Sequence, residues 1–91
     1  MVEFKITKQN SNQYIKNNVL TINESEAKTI TKLYCGDMNI SLIDLSKCVN
    51  LKYLDCSCNE MSLIDLSNCV NLRYLDCSCN EMSLIDLSNC V

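Results

Sequence analysis

Cysteine is the residue type in this sequence that could do the most chemistry, because eight of the 91 residues are cysteine and none is histidine. Four of them form two Cys-Ser-Cys pairs, Cys56/Cys58 and Cys77/Cys79. Closely spaced thiols suggest zinc or copper ligands, but zinc sites usually place two to four residues between their cysteines and close a tetrahedron. Residues two apart on a strand point to the same side. We therefore expect both thiols of each pair to face the core, and we keep metal binding or redox chemistry as a minor alternative.

The remaining cysteines also fit a packing role better than a reactive one. Cys35 stands before the first pair, and we expect it to be a small apolar core residue like Cys56 and Cys77. A second series, Cys48, Cys69 and Cys90, has Ala27 in line with it, and alanine has no reactive group. Neighbouring thiols of this series could approach disulfide distance, but a bridge also needs suitable Cβ directions. We expect most thiols to be free.

Composition narrows the function classes further. An apolar fraction of 47% and a length of 91 residues fit one small folded domain. The net charge is -3 with no basic patch, which argues against nucleic acid as a partner. The first ten residues lack the apolar segment of a secretion signal, and no apolar run is long enough to span a membrane. We expect a cytoplasmic protein with no membrane partner.

Catalysis finds little support in the sequence. There is no histidine, no nucleophile with an adjacent base, and no glycine-rich phosphate loop, since Gly36 is the single glycine. Asp44, Asp65 and Asp86 recur in the segment Ile-Asp-Leu-Ser, where aspartate and serine can bond the local backbone and hold a turn. We expect no enzymatic activity and no cofactor.

An internal repeat of 21 residues organises most of the chain. Residues 42–62 and 63–83 are copies that differ at only two positions. The sequence divides into an N-terminal flank at 1–20, a degenerate repeat at 21–41, the two full repeats, and a partial repeat at 84–91. In the degenerate copy, Ile30, Leu33 and Cys35 still match the apolar positions of the next repeat.

The defining positions of the repeat are Leu51, Leu54, Cys56, Asn59, Met61, Ile64, Asp65 and Leu66. This pattern resembles the leucine-rich repeat, and most closely the 21-residue subclass LxxLxCxxNxLxxLDL known as IRREKO repeats. The resemblance covers residues 21–91. It implies a leucine-rich-repeat solenoid with short parallel strands on the concave face and irregular or turn segments on the convex side. The first copy departs from the pattern, because Met38 replaces the asparagine and Glu24 replaces a leucine. A short helix with Asn23 as its N-cap is the alternative there.

The physical pattern of the repeat agrees with this resemblance. Leu54 and Cys56 alternate with Tyr53, Asp55 and Ser57, which is typical of a half-buried strand. The inward set then comprises Leu51, Leu54, Cys56, Met61, Ile64 and Leu66. We expect Asn59 and Asn80 to turn inward as well, and to form a ladder by hydrogen bonding the exposed backbone of each bend.

The first 20 residues do not follow the period. Val2, Phe4 and Ile6 alternate with polar residues and predict a strand. Residues 9–13 predict a turn or loop, and residues 14–15 and 19–20 predict a second short strand. We interpret this segment as a cap over the first repeat, because a solenoid end needs covering. A loosely ordered leader is the alternative.

A non-catalytic protein–protein interaction module is the function that we favour. The side chains between the inward positions should line the concave surface, and they are Lys32, Tyr34, Gly36, Tyr53, Asp55, Ser57, Tyr74, Asp76 and Ser78. Asp55 and Asp76 should lie side by side, which is mildly destabilising and has no evident structural use. Tyrosine beside carboxylate suits a binding surface, and its partner patch should be basic. The alternative is that duplication simply copied a solvated face.

Other interpretations remain open. Near-identical repeats are also compatible with a truncated fragment or a repeat-expansion product without independent activity. Leu42, Leu63 and Leu84 either add packing under the convex side, which we favour, or form an exposed apolar stripe for a partner. Because Val91 ends mid-repeat, the strand around residues 74–77 is predicted to be an uncovered edge, which favours self-association.

Overall fold

The fold, seen in a computed structural model that describes residues 2–81, consists of short strands and little helix. In chain order the elements are β1 (Val2–Lys5), α1 (Ser11–Tyr14), β2 (Ile15–Lys16), β3 (Val19–Leu20), α2 (Glu24–Ala27), β4 (Ile30–Tyr34), β5 (Leu42–Ile43), β6 (Tyr53–Asp55) and β7 (Tyr74–Asp76). The predicted partial repeat at 84–91, with Leu84, Asp86 and Cys90, lies outside the described residues.

The main sheet has four parallel strands in the order β1-β4-β6-β7. Its register follows the sequence period, because Lys32, Tyr53 and Tyr74 are paired in succession and lie 21 residues apart. The backbone pairing continues past the ends of the strands, where the Cys35 amide donates to the Asp55 carbonyl at 2.8 Å. Each repeat therefore contributes one strand to a sheet that grows by one repeat at a time.

The core lies on one side of this sheet, as the alternation predicts. Leu33 and Leu54 are fully buried, whereas the residues on either side of them in the strands are partly accessible. All six residues of the predicted inward set are buried, namely Leu51, Leu54, Cys56, Met61, Ile64 and Leu66. One repeat could not bury these side chains alone, and the stacked repeats make the core continuous.

A second sheet was not expected from the sequence. Its order is β2-β3-β5, with β2 and β3 antiparallel and β3 and β5 parallel. Asn17 and Asn18 form the turn between β2 and β3 with φ of 53° and 64°. The Asn18 carbonyl then accepts the Ser41 amide at 2.7 Å, which ties the turn to the start of β5. The predicted single strand at residues 14–15 and 19–20 is thus a hairpin, because two asparagines adopt the left-handed conformation that a tight turn needs.

The N-terminal strand is present where the alternation predicts it. β1 pairs with β4, and the ring of Phe4 meets that of Tyr14 edge-on at 4.9 Å. Residues 9–13, which we expected to be a turn or loop, include the start of the four-residue helix α1. The Asn10 side chain accepts the Thr7 amide at 2.8 Å and holds the chain for this reversal. The domain boundary at residue 20 stays a prediction.

The degenerate repeat begins with a helix, which was the alternative interpretation of this segment. Asn23 caps α2, and its side-chain oxygen accepts the Glu26 amide at 2.9 Å. Glu24, which replaces the repeat leucine, is therefore the exposed first residue of a helix, while Ala27 is buried. Among residues 2–81, no helix is long and apolar enough to cross a membrane.

Candidate functional site

The side of the main sheet opposite the core carries every residue that the sequence analysis assigned to a binding surface. We call this surface the tyrosine face, and its members are Lys32, Tyr34, Gly36, Tyr53, Asp55, Ser57, Tyr74, Asp76 and Ser78. All nine are partly or fully accessible to solvent. Their alternating neighbours Leu33, Cys35, Leu54 and Cys56 are fully buried. The strand geometry thus brings the predicted residues together, while their binding role stays a prediction.

Three tyrosines form a continuous aromatic row across the strands. The rings of Tyr53 and Tyr74 stack with centroids 4.2 Å apart and an angle of 3° between their planes. Tyr34 follows at 5.2 Å from Tyr53 with a tilt of 44°. At the other side of Tyr34, the Lys5 ammonium lies 5.5 Å from the ring centroid, within range of a cation–π interaction. The row runs from a cation at β1 to the exposed ring of Tyr74 at β7.

Tyr53 lies in the middle of this row and contacts the tyrosine on each side of it. Partial burial raises the pKa of the Tyr53 hydroxyl, and a hydrogen bond with the Tyr74 side chain raises it further. Tyr53 therefore keeps its proton at neutral pH and can hydrogen bond its neighbour. The stacked pair thus presents two parallel aromatic rings side by side.

The two aspartates of the face have a structural use that the sequence analysis did not find. Asp55 Oδ1 accepts the amide of Ser57 at 3.0 Å and its hydroxyl at 2.7 Å. Asp76 repeats this arrangement with Ser78 at 3.1 and 2.7 Å, and these hydrogen bonds lower the pKa of Asp76. Each carboxylate turns the chain at the end of its strand. The expectation that these residues serve no structural purpose was therefore wrong.

Charge is distributed unevenly over the tyrosine face. Lys5 and Lys32 lie on β1 and β4, whereas Asp55 and Asp76 lie on β6 and β7. Glu3 on β1 is paired in register with Lys32, so the β1–β4 half of the face carries both signs of charge, whereas the β6–β7 half carries the two aspartates. A basic group of a ligand would fit the β6–β7 half of this face.

Gly36 occupies the position that serine holds in the two full repeats. A Cβ atom at this position would lie 3.1 Å from Ser57 Oγ and 3.3 Å from the Ser57 carbonyl oxygen. The glycine thus leaves room for the Asp55–Ser57 turn of the next repeat.

An asparagine ladder lies behind the ends of the strands, as predicted. Asn59 is buried, and its Oδ1 accepts the amides of Met38 and Ile40, both at 2.9 Å. Its Nδ2 lies 2.9 Å from the Cys35 carbonyl and 3.0 Å from the Cys56 carbonyl. Asn80 makes the equivalent contacts one repeat later, with the Met61 amide and the Cys56 and Cys77 carbonyls. The ladder joins consecutive repeats just below the tyrosine face.

The aspartates of the Ile-Asp-Leu-Ser segments hold turns, as expected. Asp44 Oδ1 accepts two hydrogen bonds from Ser46, one from the amide at 3.0 Å and one from the hydroxyl at 2.6 Å. Asp65 accepts the Ser67 amide at 2.9 Å. The hydrogen bonds from serine lower the pKa of both carboxyl groups.

Four cysteines are core residues, as the pattern predicts. Cys35, Cys48, Cys56 and Cys69 are completely buried. Burial raises the pKa of Cys48 to about 11 and that of Cys56 to about 12, and it raises the pKa of Cys35 as well. These thiols stay protonated at neutral pH. Cys77, expected in the same core series, is only partly buried but packs against the core.

Cys58 and Cys79 contradict the expectation that both thiols of each Cys-Ser-Cys pair face the core. Both are exposed. They adopt positive φ values of 56° and 60°, so the strand alternation stops before them and the side chain leaves the core side. Asp37 holds the same position in the degenerate repeat with φ of 58°. Aspartate tolerates this conformation, and its presence was the sequence signal that could have identified an exposed turn.

The leucines at the start of each repeat are also more accessible than expected. Leu42 is 44% exposed and Leu63 is 57% exposed, so the favoured interpretation of packing under the convex side was wrong. Val49 and Val70 are exposed as well, at 41% and 49%. The described residues thus present two apolar side chains from each full repeat.

Within residues 2–81, no group of three or more cysteine, aspartate or glutamate side chains is placed to hold a metal ion. Comparison of the whole chain with models of protein families, with curated proteins and with solved structures finds no match.

Proposed function

We propose that the chain is a leucine-rich-repeat solenoid that acts as a non-catalytic protein-binding module, with the tyrosine face as its concave binding surface. Two features support the solenoid. The strands of consecutive repeats pair with the same 21-residue offset as the sequence repeat. Asn59 and Asn80 join the bends of neighbouring repeats in the way that the repeat pattern implies.

The stacked tyrosines are the observation that carries the binding proposal. Tyr53 and Tyr74 are parallel at 4.2 Å, and Tyr74 keeps 47% of its surface accessible. Tyrosine is enriched among the residues that dominate binding energy, because a rigid ring supplies a large contact area at a low entropic cost. A row of such rings on a sheet that is buried on its other side is a surface ready for a partner.

The charges suggest the chemistry of that partner. Asp55 and Asp76 each use Oδ1 to hold the serine of their own turn, and the turn does not engage Oδ2. An arginine or lysine of the partner would pair with these carboxylates beside the Tyr53–Tyr74 stack. Such partly exposed ion pairs are screened by salt, so binding should weaken as the ionic strength rises.

A peptide display selection tests this proposal directly. The reduced chain is the bait, and a random peptide library is the probe. We expect the enriched peptides to carry arginine or lysine, and we expect Tyr53→Ala combined with Tyr74→Ala to weaken their binding by at least tenfold, on the order of 1.4 kcal/mol or more. Circular dichroism of the double variant should match that of the parent chain.

Two further variants make the outcome decisive. Asp76→Asn removes one charge without removing an aromatic ring, and it should weaken binding and reduce the dependence on salt. Leu42→Ala combined with Leu63→Ala is the matched control away from the face, and it should bind as the parent does. If the leucine variant loses binding while the tyrosine variant keeps it, the tyrosine face is not the binding surface.

A further inference from the structure

The loops that follow the strands of the main sheet stack in register. Asp37, Cys58 and Cys79 hold the same position in three consecutive repeats, and all three have φ between 56° and 60°. The Asp37 amide donates to the Ser57 carbonyl at 2.9 Å, and the Cys58 amide donates to the Ser78 carbonyl at 2.8 Å. Each loop is thus hydrogen bonded to the next one, and equivalent side chains become neighbours.

This register brings two thiols together at the surface. Cys58 and Cys79 are both free and exposed, in contrast to the fully buried Cys35, Cys48, Cys56 and Cys69. A hydrogen bond that the Cys58 thiol donates to the Cys79 side chain is the largest factor that raises the pKa of Cys58, followed by desolvation and by the charges around it. Asp37 and Asp76 supply negative charge near the pair.

We propose that Cys58 and Cys79 form a two-coordinate site for a soft monovalent cation, copper(I). Thiolate sulfur selects copper(I) among the soft metal ions. The Cys58 amide is hydrogen bonded to the Ser78 carbonyl at 2.8 Å, and a hydrogen bond joins the two thiols, so the two sulfurs lie side by side. One ion between the two thiolates fits this arrangement.

Zinc does not fit the same position. A zinc site closes a tetrahedron with three or four protein ligands. In the part of the chain that the structure describes, no third cysteine, aspartate or glutamate completes a metal-binding group. The two sulfurs alone suit an ion that accepts two ligands.

A disulfide is the competing chemistry of this pair. The separation of adjacent strands falls within the range of roughly 4.4 to 6.8 Å between the Cα atoms of bridged cysteines. A bridge also needs the two Cβ atoms to converge, to roughly 3.5–4.5 Å. Both cysteines are free, and a bridge would need an oxidant, whereas copper(I) binds the reduced thiols.

Binding exchanges protons for the metal and moves no electrons. One copper(I) ion and two thiols give a bis-thiolate complex and two released protons. Apparent affinity should therefore rise about 100-fold for each pH unit below the pKa of the thiols. Burial raises the pKa of Cys48 to about 11 and of Cys56 to about 12, so these buried thiols keep their protons and compete poorly.

Competition with a chromophoric copper(I) chelator tests the site on the reduced full-length chain under anaerobic conditions. We expect one tightly held copper(I) per chain, with two sulfur neighbours by X-ray absorption. Cys58→Ser or Cys79→Ser should each lower the affinity by at least about 100-fold, which exceeds the roughly 10- to 100-fold effect of losing an outer-shell partner. Asp37→Asn is the matched control in the same loop series, and it should change the affinity by less than about tenfold, as expected for one exposed charge.

Peptide mapping of the parent chain gives a second measurement that needs no variant. Bound copper(I) should protect Cys58 and Cys79 from alkylation by iodoacetamide, which otherwise labels them before the buried thiols. The proposal is overturned if the double serine variant holds copper(I) as tightly as the parent, if three or more sulfurs surround the ion, or if copper(I) leaves the alkylation of both cysteines unchanged.

Discussion

At the scale of single residues, Asn59 and Cys58 stand side by side in the chain and differ in how well the sequence predicts them. Asn59 is a polar residue in an otherwise apolar pattern, and its burial and hydrogen bonds follow from the need to satisfy the backbone of a bend. Cys58 looks like another apolar position, but a single positive φ turns it to the surface. Backbone reversals of this kind carry no periodic signal, and only Asp37 at the equivalent position indicates one.

Replacement of Asn59 with alanine should be among the most destabilising polar substitutions in the described part of the chain. The change leaves the Met38 and Ile40 amides without their acceptor, and the Ile40 contact is buried. A buried donor without a partner costs roughly 1–3 kcal/mol. We therefore expect Asn59→Ala to lower the free energy of unfolding by about 3 kcal/mol, measured by urea denaturation.

Asn50→Ala is the matched control for this measurement. Asn50 is exposed, and its Nδ2 donates at 2.8 Å to the carbonyl of Lys28 in the preceding repeat. Water can replace an exposed bond of this kind, so a loss of about 0.5 kcal/mol is expected. Equal losses for the two variants would contradict the assignment of Asn59 as the buried link between repeats.

At the scale of the elements, the strands of the main sheet were predictable and the second sheet was not. Alternation of apolar and polar residues identifies β1, β6 and β7, because Leu54 is buried and Phe4 and Leu75 pack against the core. The strands β2, β3 and β5 have two residues each, which is too short for any period to appear. β7 is the outer strand of the main sheet within residues 2–81. Self-association through this edge stays a prediction.

The hairpin between β2 and β3 offers a test at this scale. Asn17 and Asn18 both have positive φ, the conformation of a type I′ turn, in which asparagine followed by glycine is the preferred pair. Asn18→Gly should relieve the remaining strain and keep the carbonyl that accepts the Ser41 amide. We expect the free energy of unfolding to rise by roughly 0.5 kcal/mol. Thermal melts of Asn18→Gly and Asn18→Val should move in opposite directions, and a loss of stability in the glycine variant would argue against this turn.

At the scale of the whole molecule, the repeat period determined the architecture more firmly than it determined the surfaces. The 21-residue offset predicts both the parallel pairing and the set of core residues, because every repeat must bury the same positions. Leu42 and Leu63 were misassigned, since Leu42 lies in a strand of two residues and Leu63 lies outside the strands, so no alternation indicates the direction of either side chain. A binding role of the tyrosine face stays a prediction for a different reason: near-identical repeats copy a surface whether or not it has a ligand.

The buried thiols make the stability of the whole fold depend on pH in the alkaline range. Burial holds the pKa of Cys48 at about 11 and that of Cys56 at about 12, and it also raises the pKa of Cys35. In the unfolded chain a thiol has a pKa of about 8.5. Below that pH both states are protonated and the stabilisation is fully present. Above it, the unfolded chain releases protons that the folded chain retains, so stability falls as pH rises toward the folded pKa.

We therefore expect the free energy of unfolding to fall by roughly 2 kcal/mol for each of Cys35, Cys48 and Cys56 between about pH 8 and pH 10. Urea denaturation under reducing, anaerobic conditions measures this loss. The contribution of the thiols to the free energy of unfolding should be nearly constant between about pH 6.5 and 8. A variant with Cys58→Ser and Cys79→Ser is the control, because these thiols are exposed in the folded chain. Its stability should decline with pH almost as steeply as that of the parent. Constant stability of the parent up to about pH 10 would mean that the cysteines are not enclosed in the core, and the packed repeat architecture would then be wrong.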